Sequence, residues 1–107
     1  MTIDKEIEIF VDYTKSLAET FARKRNDYGQ TTTETFEKFG PVSMLVRMHD
    51  KLGRLDNLLG SGRYPHNESV EDTLIDLANY AIITLLELQK QKMVQAEPPA
   101  FEGYLKK

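Results

Sequence analysis

The chain has 107 residues, 40% of them hydrophobic and 29% charged, with a formal net charge of −3 and no cysteine. That length holds one domain with a single core, near the size at which a second copy adds useful burial; the missing cysteine excludes disulfides, thiolate metal sites and a cysteine nucleophile, and fits a reducing, cytoplasmic compartment. The acidic balance excludes a general electrostatic grip on duplex nucleic acid, the first residues lack the basic-then-apolar order of a signal peptide, and no apolar run reaches the roughly 18 residues needed to cross a bilayer.

Thr2 can cap a first helix in which Ile3, Ile7, Phe10, Thr14, Leu17 and Phe21 recur at steps of four and three. Lys24 and Arg25 suit its C-terminal end, and Asn26 to Gly29 supplies the stop. Gln30 to Thr33 reads as a linker. Glu34 to Phe39 reads as a short helical segment that packs Phe36 and Phe39 before Gly40 and Pro41 reset the backbone. From Pro41 a further helix runs through Leu45, Leu52, Leu55 and Leu59 to a stop at Gly60, followed by a loop to His66. Asn67 then caps a long helix from Glu68 to about Met93, with Glu68, Glu71 and Asp72 in its opening turns. The tail, residues 96–107, holds Pro98, Pro99 and Gly103 and is expected to be irregular. The expected fold class is all-α: a small bundle of three long helices plus a short helical segment, spanning residues 1–95 and completed by oligomerisation.

The last helix is the informative one. At roughly 100° per residue, Val70, Leu74, Leu77, Ala81, Leu85 and Leu88 make one apolar stripe, while Asp72, Asp76, Asn79 and Ile83 gather on the opposite side. From Leu74 onward the helix is apolar nearly all round, as in a helix at the centre of a bundle. Asp76 and Asn79 are therefore expected to be partly buried, and a buried carboxylate needs a partner. The preceding helix offers Arg47, Asp50, Lys51, Arg54 and Asn57 at steps of three and four, opposite Leu45, Leu52 and Leu59. If the two polar stripes converge, Asp50, Asp72, Asp76 and Asn79 present oxygen ligands suited to magnesium or manganese. Arg47, Lys51 and Arg54 would stand beside them as phosphate anchors. Tyr28 is placed to stack on a base. The plain alternative is a solvated face of ion pairs on one helix and a register-fixing polar pair in an oligomer on the other.

The segments Asp50-Lys51-Leu52-Gly53-Arg54-Leu55 and Asp72-Thr73-Leu74-Ile75-Asp76-Leu77 resemble the paired acidic helices of MazG-like all-α nucleotide pyrophosphohydrolases. With Lys24 to Gly29 and the run Asp72 to Ala81, the layout is similar to a small phage and bacterial domain, the nucleotide modification associated domain. The resemblance implies magnesium- or manganese-assisted attack of water on a nucleoside triphosphate, releasing pyrophosphate, in a dimer or tetramer. Carried over by position, Asp50, Asp72 and Asp76 match acidic metal ligands with a catalytic role, and Asn79 sits where a polar side chain touches metal or nucleotide. Lys51 and Arg54 stand where that pattern has acids, which favours direct phosphate binding. A non-catalytic protein that sequesters or senses a nucleotide is thus the alternative, and a purely structural oligomer the third.

Overall fold

The structure, a computed structural model, describes residues 1–28, 30–62 and 68–96, with the side chains of residues 27, 28, 95 and 96 excepted. Among the described residues there are four helices and no strand: α1 (Ile3–Tyr28), α2 (Thr31–Phe39), α3 (Val42–Gly60) and α4 (Glu68–Ala96). The all-α expectation therefore holds, and no described helix is long and apolar enough to cross a membrane. The cap expected of Asn67, the loop after Gly62 and the tail beyond Ala96 fall outside the described residues.

Local chemistry sets the helix ends. The Lys5 N–H donates to Thr2 Oγ1 at 3.1 Å, the cap that the sequence predicts for α1. Thr31 to Thr33 form the first turn of α2 instead of a linker, and the Glu34 N–H donates to the Gln30 carbonyl at 2.9 Å. Between α2 and α3 the chain turns at Gly40, whose φ of 76° and ψ of −167° lie in a region that is essentially glycine-only. Its N–H donates to the Phe36 carbonyl at 2.7 Å, closing α2, and its carbonyl accepts from both Ser43 N–H at 3.1 Å and Ser43 Oγ at 2.8 Å, opening α3.

The longest element is α4, whose 29 residues run about 44 Å at the usual rise. α3 packs along it, α2 rests on α3, and α1 touches α4. The buried set is small and mixed: apolar Leu17, Phe36, Met44 and Val70, with polar Thr73, Asn79 and Glu87. Burial on α4 thus follows its polar side. Of the apolar stripe read from the sequence, Val70 is buried and Leu77 half-buried, whereas Leu74, Ala81, Leu85 and Leu88 are exposed. The same holds for Leu45, Leu52 and Leu59 on α3 and for Ile3, Ile7 and Phe10 on α1. In one chain, then, α4 packs through a mixed, largely polar face, and α1, α3 and α4 each turn an apolar stripe outward.

Candidate functional site

A cavity of about 290 Å³ opens where the end of α1, the first turn of α2, the middle of α3 and the centre of α4 meet. From α4, Asp76, Asn79, Tyr80, Ile83 and Glu87 line it, side chains that the helical period brings to one face. Lys24, Arg25 and Phe21 enter from α1, Thr31 and Thr32 from α2, and Arg47 from α3.

Its two carboxylates are both neutralised inside the chain. Glu87, 2% exposed, accepts at Oε2 from Thr33 Oγ1 at 2.9 Å and from Lys90 Nζ at 3.1 Å. Lys90 Nζ also donates to Thr33 Oγ1 at 3.0 Å, and Arg25 reaches the same oxygen at 3.5 Å while donating to Gln30 Oε1 at 2.9 Å. A buried acid is tolerable on these terms, because a cation and a hydroxyl replace its lost hydration. Asp76 Oδ2 pairs with Lys51 Nζ at 3.1 Å, both side chains partly exposed. One rung along, Arg54 Nε donates to Thr73 Oγ1 at 3.1 Å, and that hydroxyl donates to the Ser69 carbonyl at 2.6 Å. The polar stripe of α3 therefore stitches onto α4 through Lys51 and Arg54.

Two kinds of polar side chain at the cavity make no ion pair or hydrogen bond to another described residue. Arg47 and Lys24 carry no ion pair among the described residues, so their charge is available to the cavity. Asn79 is 7% exposed, lines the cavity, and makes no hydrogen bond to another described residue. Its amide is not sealed away, since no buried polar atom of the described side chains lacks a partner, so it is met through the cavity.

Of the site residues read from the sequence, the structure gathers Arg47, Asp76 and Asn79 in this cavity and sets Lys51 on Asp76. Arg54 serves Thr73 and borders a separate shallow hollow with His49, Asp50 and Asn57. Asp50 is thus on another surface from Asp76, Asp72 is exposed, and the side chain of Tyr28 lies outside the described residues. No group of three histidine or acidic side chains among the described residues is arranged to hold a metal ion. Sequence reasoning passes over Glu87, Thr33 and Lys90, although Glu87 continues the steps of three and four that carry Asp76, Asn79 and Ile83. It also reads Lys24 and Arg25 only as complements to a helix end.

Residues 24–88 match the family model described as nucleotide modification associated domain 1. That span takes in α2, α3 and every residue lining the cavity except Phe21. No curated protein and no solved structure matches the chain. Because the matched span is more than half of the 107 residues, the chain belongs to the nucleotide modification associated domain 1 family.

Proposed function

We propose that the cavity between α1, α2, α3 and α4 binds a phosphate-bearing nucleotide, with a nucleoside triphosphate as the leading ligand. The observation that carries this reading is Asn79, a nearly buried amide with no partner among the described residues, beside the unpaired cations Arg47 and Lys24. The polar atoms of Asn79 reach the cavity and are not sealed in the interior, so a ligand there meets an amide whose hydrogen-bonding capacity no described side chain takes up. The two cations suit phosphate oxygens, since guanidinium and ammonium groups both make charge-assisted hydrogen bonds to them. Phe21, Tyr80 and Ile83 give the same cavity an apolar wall against which a base can lie. Its volume of about 290 Å³ is at the small end for ligand sites, so part of a nucleotide would project from the mouth. The family description, which concerns nucleotides, points the same way.

Metal-dependent pyrophosphohydrolysis of the MazG-like kind is the second reading, favoured by the presence of Asp76 at the cavity. Its expected ligands do not fit a magnesium or manganese ion within one chain: Asp76 is taken by Lys51, Asp50 borders the other hollow, and Asp72 is exposed. The three carboxylates therefore offer a single ion no common set of oxygen ligands. Calorimetric titration with a panel of nucleoside triphosphates, with and without magnesium, tests the binding reading. Saturable binding that weakens in both Asn79→Leu and Arg47→Ala supports it. Absence of heat at millimolar nucleotide with the folded protein refutes it, and release of pyrophosphate during the titration would promote the second reading over the first.

A further inference from the structure

The charged side chains that line the cavity fall into two groups. Its acids are neutralised inside the chain, Asp76 by Lys51 and Glu87 by Lys90, whereas Lys24, Arg25 and Arg47 make no ion pair among the described residues. Arg25 differs from the other two cations. It is half-buried where Lys24 and Arg47 are exposed, and its guanidinium is held by neutral acceptors, Nη2 donating to Gln30 Oε1 at 2.9 Å and Nη1 to Thr33 Oγ1 at 3.5 Å. Thr33 Oγ1 is itself fixed, since it donates to Glu87 Oε2 at 2.9 Å and accepts from Lys90 Nζ at 3.0 Å. A hydroxyl has one proton to give and two lone pairs, so Glu87, Lys90 and Arg25 together use it fully. A carboxylate in place of Gln30 or Thr33 would orient the guanidinium and cancel its charge. Neutral oxygens orient it and leave the charge to the cavity.

We propose that Arg25 is a phosphate-binding residue of this cavity, preset by Gln30 and Thr33, and that with Lys24 and Arg47 it makes the cavity select polyphosphates over single phosphates. The inference rests on the cavity being the phosphate site proposed above, and it names the ligand class that the site takes. A guanidinium carries five N–H donors in a planar fork, and only two of Arg25's are engaged within the chain. The remainder can grip phosphate oxygens at two points. A phosphate monoester brings a charge of only about −1.5 to −2 at neutral pH, less than these three cations together offer. A polyphosphate chain carries more charge and spreads it along its length, so cations from α1 and α3 can be engaged at once.

Calorimetric titration of the full chain with adenosine, guanosine, cytidine and uridine mono- and triphosphates tests this, with inorganic phosphate and inorganic triphosphate as base-free probes. Wild type is expected to bind triphosphates about tenfold or more tightly than the matching monophosphates. Arg25→Gln keeps a polar side chain and removes the charge; it should weaken triphosphate about tenfold and monophosphate little, so that the ratio contracts. Arg25→Lys, which retains charge without the fork, should recover part of that loss. Thr33→Val removes one anchor and leaves the guanidinium, so a smaller loss is expected there, reversed in Thr33→Ser. Unchanged triphosphate affinity in Arg25→Gln overturns the proposal. So does an equal loss for mono- and triphosphate, which would make Arg25 a packing residue, and so does a wild type that does not discriminate between them. Should circular dichroism show Arg25→Gln unfolded, Arg25→Lys decides, and triphosphate affinity equal to wild type overturns the proposal. Binding of inorganic triphosphate with no nucleoside triphosphate bound would refute the nucleotide reading and leave this one standing. Absence of binding by every phosphate probe refutes both.

Discussion

The two faces of α4 divide the work of the molecule differently. The inner face carries Thr73, Asp76, Asn79 and Glu87, polar groups packed against the other helices and satisfied by Arg54, Lys51, Thr33 and Lys90, with Asn79 as the exception. The outer face carries Leu74, Ala81, Leu85 and Leu88, all exposed. An isolated domain would be expected to reverse this arrangement, since burying apolar area is the main favourable term in folding. The difference teaches that packing within the chain selects the face of α4 that carries ion pairs and hydrogen bonds, and leaves the face carrying Leu74, Ala81, Leu85 and Leu88 uncovered among the described residues.

Breaking the inner face at its most buried acid should give the largest effect. Glu87→Ala strips the acceptor from Thr33 and Lys90, and a loss of about 3 kcal/mol of unfolding free energy is expected by urea denaturation. A loss below about 0.5 kcal/mol, the scale of ordinary surface changes, would mean that the cluster contributes nothing to packing.

Smaller still is Arg47→Ala, which should weaken triphosphate binding about tenfold, the scale of one charge-assisted hydrogen bond. Its thermal midpoint without ligand should hardly move, because the side chain has no described ion pair. Equal affinity in wild type and variant would take Arg47 out of the site. Asp76→Asn should cost under about 1 kcal/mol of stability, as partly exposed pairs do. By releasing Lys51 it should also leave triphosphate affinity equal or slightly higher. Loss of binding in that variant, together with a magnesium requirement in wild type, would sharpen the site toward metal bridging.

Much of the fold is legible in the sequence. The cap at Thr2, the corner at Gly40 and Pro41, and the span of α4 follow from residues whose local physics admits few alternatives. α2 reads too short because threonines have modest helix propensity, yet in a first turn they need only have their carbonyls paired. The convergence of the α3 and α4 polar stripes is legible too, since a partly buried Asp76 demands a cation, and Lys51 supplies it. What the pattern does not give is rotation about the helix axes: a helix apolar nearly all round does not say which stripe meets its own chain. For the same reason Asp50, Asp72 and Asp76 share a plausible spacing but not a shared cavity, and Glu87 is hidden by its long sequence separation from Thr33.

Everything turns on the inner face of α4 being a ligand face and the outer one not. Titrating the isotopically labelled chain with a nucleoside triphosphate, and following the Asn79 side-chain amide and the Leu85 methyls by NMR, tests this at both faces in one sample. Saturable shifts are expected at Asn79 and at the first backbone amides of α2, with Leu85 unmoved. Shifts at Leu85 with Asn79 silent, or no shift anywhere at millimolar nucleotide, would contradict the division of the two faces.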